Sequence, residues 1–88
     1  MVTEQQDLFA RRLAAEFGVA WRYTKTTVVV TVSEALSAEV SQHMGDDLTV
    51  GLSGASSEYR HFEAGPEGAR LAASFIRGTL TPQPNNRE

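Results

Sequence analysis

Cysteine is absent from the 88 residues, so neither a disulfide framework nor a thiolate metal knot is available, and compactness must come from apolar packing. That composition fits a reducing compartment. Basic residues are scarce: Lys25 is the only lysine, Arg11-Arg12 the only adjacent basic pair, and 11 acids against 8 bases leave a net charge of −3. A duplex-binding domain neutralises several phosphates with clustered Lys and Arg, so nonspecific nucleic-acid binding is disfavoured. No run approaches the ~18 apolar residues of a membrane span. The start, Met1-Val2-Thr3-Glu4-Gln5-Gln6-Asp7, is acidic where a signal peptide carries positive charge. A cytoplasmic chain without membrane contact is the expectation.

What remains has globular proportions, 41% hydrophobic and 22% charged, at a length that allows one core. One α+β domain is expected over residues 1–80. The stretch from Thr81 to Glu88 holds two prolines and little to bury, and is expected to be a disordered tail.

Thr3 and Gln6 form a capping-box pattern, and Phe9, Leu13 and Phe17 recur every four residues before Gly18, which predicts a helix over 4–17. From Val19 to Val32 the residues turn β-branched and aromatic, and the alternation changes phase. Val19, Trp21 and Tyr23 share one parity, Val28, Val30 and Val32 the other. Two strands joined by a turn at 24–27 satisfy both sets on one buried face; a single bent strand with a bulge is the competing arrangement. Ser33 followed by Leu36, Val40 and Met44 at four-residue intervals predicts a second helix ending at Gly45.

Leu48, Val50 and Leu52 alternate with small polar residues as a strand does. A turn at 54–57 leads to a return strand over 58–63, whose register is open because either Tyr59 and His61 or Arg60 and Phe62 could face inward. Pro66, then Leu71, Ala72, Phe75 and Ile76, predict a helix over 66–77. The expected order is α-β-β-α-β-β-α, with a four-stranded, mainly antiparallel sheet and the helices mostly on one face. The expected core is Phe9, Leu13, Phe17, Trp21, Val28, Val30, Leu36, Val40, Leu48, Val50, Leu71 and Phe75.

Chemistry-bearing constellations are thin. His43, Asp46 and Asp47 cluster near a predicted helix C-terminus, an electrostatically poor place for carboxylate ligands, and lack a fixed fourth donor. His61 with Glu58 and Glu63 is split by strand alternation. Gly51-Leu52-Ser53-Gly54-Ala55 departs from a nucleophile elbow at its last position and precedes a strand instead of a helix. Gly65-Pro66-Glu67-Gly68 opens a helix where anions can bind, but Glu67 already supplies the negative charge. Ser33, Ser37 and Ser41 read as an exposed polar flank. No catalytic, cofactor-binding or metal-ligating set emerges.

The remaining candidate is a surface. With helices on one side of the sheet, Arg22, Thr27, Val29, Thr31, Thr49, Ser53 and, register permitting, Arg60 and Phe62 would lie on the other, a weakly polar face with few long charges and no paired aromatics for stacking RNA bases. A noncatalytic protein-interaction module, acting as regulator, inhibitor or accessory subunit, is therefore expected. The alternative is a nucleic-acid-binding accessory protein using Arg11, Arg12, Arg22 and Lys25. Two sheet edges without proline or inward lysine further predict a two-fold homodimer.

Overall fold

The computed structural model describes residues 2–54 and 57–80. The expected tail at 81–88 and the centre of the turn at 54–57 lie outside these residues. Helix α1 spans Glu4–Phe17, followed by strands β1 (Trp21–Tyr23), β2 (Thr27–Ser33), β3 (Leu36–Gln42), β4 (Asp47–Gly54) and β5 (Tyr59–Glu63), and then helix α2 (Pro66–Leu80). The sheet order β1-β2-β3-β4-β5 is the chain order, and every adjacent pair is antiparallel. The chain is thus a small α+β domain, but with five strands and two helices among the described residues.

The sequence expectation fails over 33–44, where a strand replaces the predicted helix. Leu36, Ala38 and Val40 are buried, and the residues between them, Ser37 and Glu39, point the other way. Intervals of four satisfy a two-residue period as well as a helical one, and Ala38 completes the strand pattern. Ser33, read as a helix cap, instead accepts the Ala35 N–H at 3.3 Å within the turn from β2 to β3. The same short-range hydroxyl bonding serves either structure, and pairing with β2 and β4 decides. Met44, no longer on a helix, is exposed.

Elsewhere the local chemistry behaves as expected. The Thr3 hydroxyl accepts the Gln6 N–H at 3.1 Å, and Gln6 Oε1 accepts the Thr3 N–H at 2.9 Å, closing the capping box. Gln6 also donates through Nε2 to the carbonyls of Thr26 and Val40, at 2.8 and 3.0 Å, which pins the start of α1 to the sheet. Its amide is buried with its hydrogen-bonding groups engaged. The 19–32 segment is the hairpin: Trp21, Arg22 and Tyr23 pair with Val30, Val29 and Val28, and Thr24 N–H bonds to the Thr27 carbonyl at 2.9 Å.

Both helices pack side by side on one sheet face, where Phe9, Leu13, Ala69, Ala72, Ala73 and Ile76 meet Val28, Val30, Ala38, Val40, Leu48 and Val50. Four expected core residues sit differently. Trp21 is 38% exposed because β1 is a three-residue edge strand. Leu71 is 55% exposed because Ala69, Ala72, Ala73 and Ile76 form the buried stripe of α2, turning Leu71 toward its flank. Met44 and Tyr59 are also exposed large side chains, whereas Phe17 and Phe75 pack half-buried at the core margin. Among the described residues, no helix is long and apolar enough to cross a membrane.

Candidate interaction surface

The ladder registers build the face opposite the helices directly. One transverse row reads Arg22, Val29, Glu39, Gly51, Tyr59; a second reads Thr27, Ser41, Thr49, His61; a third reads Thr31, Ser37, Ser53. Alternation fixes these on one side because their strand neighbours point into the core. The residues expected there, Arg22, Thr27, Val29, Thr31 and Thr49, are brought together. Arg60 is not. It pairs with Val50 and so shares the helix-bearing face, where its guanidinium lies 4.8 Å from the centre of the Phe75 ring. The open register of the return strand is settled the same way for Phe62, which pairs with Leu48 and packs near Phe9 and Phe75, at ring separations of 6.4 and 6.0 Å.

Six hydroxyl side chains dominate this face: Thr27, Thr31, Ser37, Ser41, Thr49 and Ser53. Val29 lies among them at only 2% exposure, with Arg22 and Glu39 as its direct cross-strand neighbours. Toward β5 the face becomes aromatic. His43 stacks on His61 with ring centres 3.9 Å apart, Tyr59 meets His61 edge-on at 6.0 Å, and the Thr49 hydroxyl is 2.9 Å from His61 Nδ1. Alternation placed Thr49 correctly, but the helical reading of 33–44 hid Ser37, Glu39, Ser41 and the approach of His43 to His61. His61 carried the one usable signal, since the parity that buries Phe62 puts it outside.

The other constellations disperse. Asp46 accepts from Gln5 Nε2 at 3.0 Å, the backbone N–H of His43 donates to the Asp47 carbonyl at 2.9 Å, and no three His, Asp or Glu side chains converge as metal ligands among the described residues. Gly51 and Ser53 belong to the middle and end of β4, with Gly54 left-handed at φ 101° where the strand abuts Ala35. Glu67 at the start of α2 pairs with Arg70 at 2.6 Å on the surface.

The basic residues of the alternative reading do not share one face. Arg22 extends from the outer face of β1. Trp21 and Tyr23 point to the helix side, where Arg11 lies 5.6 Å from the Trp21 ring centre and bonds Asp7 at 3.2 Å. The Tyr23 hydroxyl donates to Asp7 Oδ1 at 2.6 Å and accepts from Trp21 Nε1 at 3.2 Å. That Tyr23 bond, more than Arg11, holds the Asp7 carboxyl below its ordinary value. Arg12 is exposed on α1, and Lys25 lies in the β1–β2 turn. No protein family matches this chain, and neither the curated proteins nor the solved structures yield a significant match.

Proposed function

We propose that the chain is a noncatalytic protein-interaction module, a regulator, inhibitor or accessory subunit of the cytoplasm, that docks a protein partner on the uncovered face of its sheet. The observation that carries this reading is the hydroxyl-dense surface formed by Thr27, Thr31, Ser37, Ser41, Thr49 and Ser53 around a central Val29 and Glu39, with Arg22 at the β1 edge and Tyr59, His61 and Glu63 at the β5 edge. Short hydroxyl side chains lose little conformational freedom on being covered and offer both donors and acceptors, which suits a flat polar contact with aromatic anchors at its rim.

The nucleic-acid alternative has less support, because Arg11 is already paired with Asp7 and Arg22 projects from the opposite side of β1. Affinity capture from the native host, run with the natural chain and with Thr27→Lys/Thr49→Lys, tests the proposal. A protein retained by the first and lost from the second supports docking on this face, and retention by both overturns it. Salt-dependent binding of a generic oligonucleotide at low ionic strength, abolished in Arg22→Glu, would favour the alternative.

A further inference from the structure

The two edges of the sheet are not equivalent. β1 is three residues long, and its Trp21 and Tyr23 are tied back to Arg11 and Asp7 of α1. β5 is five residues long, four of them exposed, and carries neither proline nor lysine. The Leu52 N–H donates to the Glu58 carbonyl at 2.7 Å, and the Ala64 N–H to the Asp46 carbonyl at 2.9 Å. Bonded positions alternate in an antiparallel ladder, so residues 58, 60, 62 and 64 turn their backbone groups toward β4. Tyr59, His61 and Glu63 therefore turn theirs outward, a row of donors and acceptors that is unpaired among the described residues.

Beside that row runs a groove of about 470 Å³ lined by Arg60, His61, Phe62, Leu71, Ser74 and Phe75. Leu71, at 55% exposure, stands on its helix side. An unpaired strand edge flanked by an uncovered leucine calls for one occupant that satisfies both.

We infer that β5 is a self-pairing seam, in which a second copy of the chain adds its own β5 antiparallel, with His61 on the two-fold axis. Only this register uses every outward group, because Tyr59 then faces Glu63 of the other copy, His61 faces His61, and all three are positions that bond outward. The same register sets Arg60 opposite Phe62 on the helix side, a cation against an aromatic face. A two-fold axis normal to the sheet keeps both helix layers on the same side, so that the exposed Leu71 side chains flank one junction. The chain's own 81–88 segment is a poorer occupant, since Pro82 and Pro84 have no N–H to donate to the edge. The seam is separate from docking of a different protein on the outer face, and either can fail alone.

The test uses the full chain in sedimentation equilibrium from one to a hundred micromolar, with circular dichroism to verify folding. The natural chain is expected to approach twice its 9.6 kDa. Tyr59→Glu places like charges opposite each other twice per dimer and should weaken association about fivefold or more, whereas Tyr59→Lys, facing Glu63, should hold or tighten it. Tyr59→Glu/Glu63→Lys should restore it; residues four apart on one strand do not touch, so only pairing between copies yields that rescue. Thr31→Lys, on the outer face, should leave the mass unchanged. A single-chain mass at every concentration overturns the seam, as does a dimer indifferent to the Tyr59 charge. If Tyr59→Glu does not fold, Tyr59→Lys decides by the same criterion, with weaker association overturning the inference.

Discussion

Gly68 crosses the end of β5 so closely that a Cβ on it would lie 1.7 Å from the carbonyl oxygen of Glu63. The first turn of α2 therefore rests directly on the strand's backbone, and Gly65, left-handed at φ 122°, makes the bend that brings it there. Gly68→Ala inverts an ordinary expectation. Alanine within a helix stabilises by ~1 kcal/mol relative to glycine. Here the contact is with backbone, which has no flexible end to move aside, and a net loss of at least ~2 kcal/mol is expected. Urea denaturation of Gly68→Ala against the natural chain measures it; a gain in stability would show that α2 lifts freely off β5.

Gln6 is the second point where helix and sheet are fastened. Gln6→Leu preserves bulk but removes both donors to Thr26 and Val40 and the acceptor for the Thr3 N–H. Leaving the buried Val40 carbonyl without that partner should cost ~1–3 kcal/mol. A change below ~0.5 kcal/mol in chemical denaturation would mean that water replaces the amide without penalty.

Two leucines that read alike in the sequence should behave differently. Leu13 is fully buried between helix and sheet, whereas Leu71 is more than half exposed. Leu13→Ala is expected to cost ~2–5 kcal/mol. Leu71→Ala should cost less than ~1 kcal/mol at dilution where only single chains are present. Equal losses in the two variants would contradict the placement of α2.

Acid should loosen the β1 flank through Asp7. Because the Tyr23 hydroxyl and Arg11 hold its folded-state carboxyl below the ordinary value, the ionised group contributes stability above the unfolded value near ~3.9, and that contribution is lost as pH falls through the folded value. Tyr23→Phe removes the larger of the two causes. The stability difference between the natural chain and Tyr23→Phe should therefore shrink from pH 5 toward pH 2, and a constant difference would place the Tyr23 contribution elsewhere.

Much of the fold could be read where one local signal admitted one structure. The Thr3 and Gln6 box, the phase change between Tyr23 and Val28, and the alternation of Leu48, Val50 and Leu52 all survive in the structure. The segment from Ser33 to Met44 could not be read so, because its spacing fits both periods and only the neighbouring strands select between them. The candidate surface inherited that gap. Arg22, Thr27, Val29, Thr31 and Thr49 share a face by simple alternation, whereas Arg60 lies opposite because both parities of β5 offer an aromatic to bury. The stacking of His43 on His61 joins residues from two hairpins, and its geometry follows from the β3–β4 and β4–β5 registers together.

The agreement between strand order and chain order carries a consequence for how the molecule acquires its structure. Each strand meets its partner across a short connection, so the sheet assembles by hairpin closures, each on the order of microseconds. The helices come from opposite ends of the sequence, and Arg77 reaches the Glu16 carbonyl across 61 positions. Closing that long loop carries the largest entropic cost in the fold and comes late. During synthesis, β1 to β5 precede α2 in the emerging chain, leaving the helix side of β5 without Phe75 and the rest of its α2 cover. The half of the sheet beneath α2 is thus the part most vulnerable to aggregation in the nascent chain, and the last helix acts as its seal.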